Sequence, residues 1–312
     1  MRTRAVGSLA VSEIGIGCNN FGARLDEAGT RAVVDAALEA GINLFDTADI
    51  YGGTQSEVLL GRALGARRAE VVVATKFGMP VDDERKGAAP AYVRQALEDS
   101  LRRLGTDYVD LYQLHVPDDT VPVADTLATL DELVHQGKVR EIGCSNFTAG
   151  QLRQAAQSAA AGAARFVSVQ NQFSLLHREP ERDVVPECER QGIAFLPYYP
   201  LASGLLSGKY RGGAAPAAGT RMASYPADRV QAWLSDANLA KVAALEAFAA
   251  ERGHSVLELA FAWLRSHAVV ASVIAGAMSP EQVRANAAAA AWDLLAADLQ
   301  GIDALVPQEP PA

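Results

Sequence analysis

The sequence predicts an α/β protein built as a closed (β/α)8 barrel, and three observations predict it. Eight short runs rich in Val, Ile, Leu and Phe recur along the chain with helical patterns between them, the alternation that builds a parallel sheet. Glycine closes several of the helical stretches, at Gly41, Gly65, Gly105, Gly137 and Gly192, where a residue free to take positive φ caps a helix and starts the next strand. The rival architecture, a doubly wound open sheet, usually cradles dinucleotide phosphate with GxGxxG after an early strand, and this chain has none there.

The elements follow in order. Arg4 to Val11, centred on Gly7-Ser8, reads as an N-terminal β-hairpin. The strands are Ile14 to Cys18, Ile42 to Asp46, Val71 to Thr75, Val109 to His115, Val139 to Cys144, Phe166 to Gln170, Ile193 to Tyr198 and Ala271 to Ala275. Between them Val93, Leu97, Leu101 and Leu104 form one apolar stripe and Val123, Leu127, Leu130 and Val134 another, at the spacing that covers one helix face. Ser279-Pro280-Glu281-Gln282 reads as a capping box with proline at the first helical position. The Gly-, Ala- and Pro-rich stretch Tyr210 to Pro226 breaks the rhythm and is expected to be a mobile loop. No composition shift marks a second domain, so residues 1–312 are expected to form a single TIM-type barrel with long loops on its C-terminal face.

Composition narrows the function. A net charge of -9 and a pI near 5.1 argue against nucleic-acid partners, because phosphate backbones attract basic surfaces. Neither an export signal nor an uncharged run of the roughly 20 residues that span a bilayer is visible, so no membrane is expected; Ala285 to Ala291 is too short and is interrupted by Asn286. Cys18, Cys144 and Cys188 fit neither a CxxC pair nor a disulfide framework, which points to a reducing cytoplasm. Oligomeric state is not legible in the sequence.

Polar side chains gather at the carboxyl ends of successive strands, the catalytic rim of such a barrel: Asp46, Lys76, His115, Ser145-Asn146 and Gln170-Asn171, with Tyr51 one short loop beyond Asp46. Singly, each has a bland reading as a cap, loop aromatic, surface charge or satisfied strand end. Together they make chemical sense for protonating a carbonyl oxygen while hydride reaches its carbon. Tyrosine has a pKa of about 10, so the Lys76 ammonium is expected to bring it toward working pH. Asp46 would hold Lys76 charged, and His115 would donate a hydrogen bond to the substrate oxygen.

Longer segments carry a resemblance. Gly41 to Gly52 (GINLFDTADIYG), Ala74 to Gly78 (ATKFG), Leu104 to His115 (LGTDYVDLYQLH), Gly137 to Phe147 (GKVREIGCSNF), Gln170 to Leu176 (QNQFSLL) and Tyr199 to Tyr210 (YPLASGLLSGKY) together resemble the aldo-keto reductase family over most of the chain. The resemblance implies a catalytic tetrad of Asp46, Tyr51, Lys76 and His115. It also implies a nicotinamide site in which Ser145, Asn146 and Gln170 hold the carboxamide and Tyr198 stacks on the ring. Leu201, Gly204 and Lys209 would cover the pyrophosphate, and Gly276, Gln282 and Asn286 would grip the adenosine end. Ala285 stands where many members carry Glu, Tyr199 where serine is frequent, and neither Gly276 nor Met278 supplies the cation that often binds a 2′-phosphate. NADP(H) is the implied cofactor, with NAD(H) left open, and a small-molecule aldehyde or ketone the implied substrate. No metal is called for.

Two other functions compete. A Schiff-base aldolase would use Lys76, but needs it deprotonated, and Asp46 opposes that. A redox-sensing regulatory subunit resembling the potassium-channel β subunits shares the style of the Leu201 to Tyr210 loop. Substrate choice is expected to lie in the loops Phe21 to Leu25, Gly78 to Ala88 and Tyr210 to Trp233.

Overall fold

A computed structural model describes residues 1–210, 216–217 and 220–308. A hairpin comes first, β1 (Thr3–Val6) and β2 (Leu9–Ser12), paired antiparallel about Gly7-Ser8. The barrel strands are β3 (Ile14–Gly17), β4 (Leu44–Asp46), β5 (Val72–Phe77), β6 (Val109–Leu114), β7 (Val139–Ser145), β8 (Phe166–Gln170), β9 (Ala194–Phe195) and β10 (Val273–Gly276). All eight pair in parallel, in the order β10-β3-β4-β5-β6-β7-β8-β9. The remaining edges meet where Phe195 N donates to Val269 O at 2.7 Å and Ala271 N to Phe195 O at 3.1 Å, so the sheet closes into a (β/α)8 barrel.

The helices are α1 (Glu27–Glu39), α2 (Gln55–Leu64), α3 (Pro90–Leu104), α4 (Val123–His135), α5 (Ala149–Ser158), α6 (Val184–Gln191), α7 (Ala227–Trp233), α8 (Asp236–Ala250), α9 (Val256–Ser266), α10 (Pro280–Ala288) and α11 (Ala296–Leu305). The two stripes read from the sequence are the buried faces of α3 and α4. Gly105 takes φ 66° and ends α3 as its left-handed cap. The expected capping box at α10 forms differently: Ser279 accepts from Gln282 N, but the Gln282 side chain accepts from Met278 N, one residue before the cap.

Two apolar clusters divide the interior by strand parity. Phe45, Val73, Tyr112 and Ile142 face the helices, whereas Leu44, Val72, Ala74, Leu111 and Ile274 face the barrel axis with Val6, Leu9 and Val11 of the hairpin beneath them. The hairpin thus plugs the amino-terminal end of the barrel, with each such Val or Leu contributing about 1.5–3 kcal/mol through burial. Glu13 is tied there to Arg2, Arg4 and Arg265. Parity then places the site: two residues on from Leu44 is Asp46, two on from Ala74 is Lys76, and two and four on from Leu111 are Gln113 and His115, all directed into the carboxyl end.

Of the stretch Tyr210 to Pro226 expected to be a mobile loop, residues 211–215 and 218–219 lie outside the described residues. The described end of it is structured: Met222 is fully buried and Met222–Ser224 form a 3-10 turn.

Candidate active site

The Lys76 Nζ, wholly buried, donates to Asp46 Oδ2 at 2.7 Å and to Thr47 O at 2.8 Å. Asp46 Oδ1 accepts from Gln170 Nε2 at 2.8 Å and from Gln113 Nε2 at 3.3 Å. The carboxylate is therefore held from three strands, and a charge buried this deeply is tolerable only with such partners. Tyr51 stands on the loop after β4, its ring centroid 5.2 Å from Lys76 Nζ and 5.8 Å from the His115 ring in an edge-on arrangement. Gly52 makes the turn beyond Tyr51 possible: its φ is 58°, and a Cβ there would lie 2.4 Å from the Phe21 carbonyl oxygen.

Burial, the largest influence on Lys76, pulls its pKa down, but the contacts with Asp46 and Tyr51 outweigh it and the net direction is up. The ammonium stays charged. His115 is pushed down to about 3, first by burial and then by Lys76, so the imidazole is neutral across the physiological range. Its Nδ1 has no protein partner. Tyr51 corrects an expectation. Lys76 does act to lower its pKa, yet burial is stronger and the phenol ends above its ordinary value.

One cavity of about 810 Å³ opens over this group, within the range of small-molecule and cofactor sites. Asp46, Tyr51 and His115 line it, with Lys76 beneath, bonded to Asp46. The other ten residues singled out from the sequence, Ser145, Asn146, Gln170, Tyr198, Leu201, Gly204, Lys209, Gly276, Gln282 and Asn286, line the same cavity. Some of their polar atoms are engaged within the protein. Ser145 Oγ donates to Gln170 O, Asn146 Nδ2 donates to His115 O, and Tyr198 OH donates to Asn146 Oδ1 at 2.8 Å.

The cavity suits an extended anionic ligand. Amide side chains and the Tyr198 ring line it together with Tyr51, and so do the cations Arg24, Lys209 and Arg221. Lys209 is exposed as a residue and lines the cavity; desolvation, then the charges of Arg24 and Arg221, push its ammonium below the usual lysine range. At Gly276 an added Cβ would come within 3.3 Å of Asn20 Nδ2, tighter than ordinary contact. Gly276, Met278, Gln282, Ala285 and Asn286 form a stretch of lining without a cation.

Sequence reasoning did not single out Arg24, Arg221, Asn19, Asn20, Ile50, Met79 or Val116, all of which line the cavity. Arg24, Met79 and Arg221 lie on the three loops expected to set specificity, and loop position was the available signal. A second cavity of about 690 Å³ shares only Asn146 and Tyr198 with the first and contains no member of the tetrad. Among the described residues no cluster of His, Cys, Asp or Glu is arranged to hold a metal, and no helix is long and apolar enough to cross a membrane.

Comparisons with known proteins point to one family. The model of the Aldo/keto reductase family matches residues 13–307. The chain is 33% identical over 305 residues to "Probable aldo-keto reductase 1" of Glycine max, covering 95% of this chain and 86% of that one. It is 34% identical over 312 residues to "Protein tas" of Escherichia coli (strain K12), covering 89% of each. The holo form of aldo-keto reductase AKR11C1 from Bacillus halodurans superposes with a TM-score of 0.81 at 33% identity, over 98% of this chain and 96% of that chain. On the strength of a match that runs through nearly all of the barrel and the loops above it, this chain belongs to the aldo/keto reductase family, oxidoreductases that act on carbonyl compounds.

Proposed function

We propose that the chain reduces an aldehyde or ketone to an alcohol with NADP(H), Tyr51 delivering the proton. The observation that carries this reading is the convergence of Tyr51, His115 and Asp46 on one cavity, with the Lys76–Asp46 ion pair directly beneath. NADP(H) rests on the family resemblance; the cation-free lining from Gly276 to Asn286 keeps NAD(H) as the alternative. When bound, the reduced nicotinamide supplies the hydride.

The chain's own residues do the rest. His115, neutral and buried in the cavity wall, holds the carbonyl oxygen through a ring N–H and so sets its approach to Tyr51. The Tyr51 hydroxyl gives its proton to that oxygen. The Lys76 ammonium stabilises the phenolate as it forms, and Asp46, anchored by Gln113 and Gln170, keeps that ammonium in place. Ser145, Asn146 and Gln170 are proposed to hold the carboxamide and Tyr198 to stack on the ring. Leu201, Gly204 and Lys209 would cover the pyrophosphate, and Gly276, Gln282 and Asn286 the adenosine end. All of this lies in what we take to be one barrel domain, in a reducing compartment that suits three buried, unpaired cysteines.

A Schiff-base role for Lys76 is disfavoured by its raised pKa and its bond to Asp46. The test is turnover of NADPH with a panel of small aldehydes, read beside cofactor binding by fluorescence. Turnover with at least one aldehyde is expected. Absence of both turnover and binding would overturn the reading.

A further inference from the structure

Among the described residues, five non-glycines take positive φ, and three of them, Tyr199 (54°), Ala202 (45°) and Ser203 (58°), fall within five positions of the segment that follows β9. That region is disfavoured for side chains with a Cβ, and more so for a bulky one. Tyr199 is doubly atypical, because it precedes Pro200, whose ring restricts the residue before it to extended backbone. Conformations of this kind persist where the surrounding structure imposes them, and they cluster at ligand clamps.

What Tyr199 touches gives the clamp its purpose. The Arg221 guanidinium lies 4.9 Å from the Tyr199 ring centroid, within cation–π range, while the Tyr198 ring meets the same ring edge-on at 5.2 Å. Arg221 comes from a segment outside the barrel, pinned by the fully buried Met222 and by a 3.2 Å hydrogen bond between Ser203 and the Tyr225 hydroxyl. It enters the cavity wall beside Lys209 and Arg24. Like charges brought together in one cleft raise the local concentration of a polyanion and favour its binding.

We propose that Tyr199 is a positioning residue: its ring holds Arg221 over the cleft so that Arg221, with Lys209 and Arg24, clasps the phosphates of the bound dinucleotide. The pair thereby sets how long the cofactor stays. This inference rests on the nicotinamide reading above and adds to it a specific aromatic–guanidinium contact, at a position where the chain accepts backbone strain to present a ring.

The test measures Kd and dissociation rate for NADPH and for NADH by fluorescence and stopped flow, in the full chain and in Tyr199→Phe, Tyr199→Leu, Tyr199→Gly, Arg221→Ala and the Tyr199→Leu/Arg221→Ala pair. Tyr199→Phe keeps the ring and is expected to bind as the parent does. Tyr199→Leu and Arg221→Ala are each expected to weaken binding about tenfold, chiefly through faster release, and the double variant no more than Arg221→Ala alone. Tyr199→Gly, freed of the strain, should melt without cofactor no lower than the parent while losing the same affinity. Parental affinity in Tyr199→Leu, weakening in Tyr199→Phe equal to that in Tyr199→Leu, or additive losses in the double variant would overturn the clasp alone. A parent chain that binds neither nucleotide would overturn the cofactor reading and the clasp with it.

Discussion

Lys76 Nζ donates to Asp46 Oδ2 at 2.7 Å while sitting 5.2 Å from the centre of the Tyr51 ring, so one buried ammonium faces a carboxylate on one side and a phenol on the other. Removing the cation leaves the buried Asp46 carboxylate without its ion-pair partner. Lys76→Met is expected to cost about 3 to 5 kcal/mol of stability as well as most of the reductase rate. Chemical denaturation and steady-state kinetics check both; a stable variant that has lost only activity would show that the ion pair contributes nothing to the fold.

The same pair sets what Lys76 does not do. Because its charge is held, borohydride added with an aldehyde or ketone is expected to leave no adduct on Lys76 by peptide mass spectrometry. A trapped adduct would revive the imine chemistry.

The pH dependence of reduction follows from two shifts. His115, at about 3, is already neutral, so no limb should appear between pH 5 and 8 from its titration. Tyr51 must be protonated to act as an acid, and its raised pKa keeps it so past its ordinary value of about 10. Reduction at saturating cofactor should hold level through pH 9, while alcohol oxidation, which needs the phenolate, rises with pH. A reduction rate that falls with a midpoint near 6.5 would assign an essential proton to His115 instead.

Asp49 lies just before Tyr51, fully buried, with Oδ1 unpartnered and Oδ2 only 3.4 Å from the Tyr92 hydroxyl. Burial, then the neighbouring Glu57, raises its pKa to about 7. An acid whose folded pKa lies above its unfolded value of about 3.9 keeps a proton that the unfolded chain releases, so its contribution to stability falls as pH rises from about 4 to 7 and then levels. Asp49→Asn removes that loss. Its melting temperature relative to the parent should therefore rise by about 3 °C or more between pH 5 and pH 8; a difference independent of pH would contradict the shift.

At the other end of the barrel Glu13 joins Arg4 at 2.9 Å and the buried Arg265 at 2.9 Å. Glu13→Gln should destabilise by about 3 kcal/mol and leave kcat unchanged in folded protein. A loss of kcat without loss of stability would mean that the hairpin end communicates with the rim.

Much of this was legible in the sequence because two periodicities carry it. The alternation of Leu44 with Asp46 and of Val72 and Ala74 with Lys76 fixes which side chains face the axis, and all eight strand candidates correspond to barrel strands. The ten residues drawn from the resemblance sit on one cavity because strand ends and their loops are ordered by the barrel itself. Arg221 was legible only as a position in a specificity loop: its stretch has no period, and the burial of Met222 and the Ser203–Tyr225 hydrogen bond that pin it are features of the folded chain. The direction of the Tyr51 shift was not legible either, since sequence shows the partner charge but not the depth of burial that outweighs it.

The central claim is that Tyr51 delivers the proton, and Tyr51→Phe tests it most directly when NADPH oxidation with an accepted aldehyde is measured beside NADPH affinity. The account expects kcat to fall about 100- to 10,000-fold with Kd for the cofactor held near that of the parent. A Tyr51→Phe chain that turns over at a rate near the parental one would contradict it.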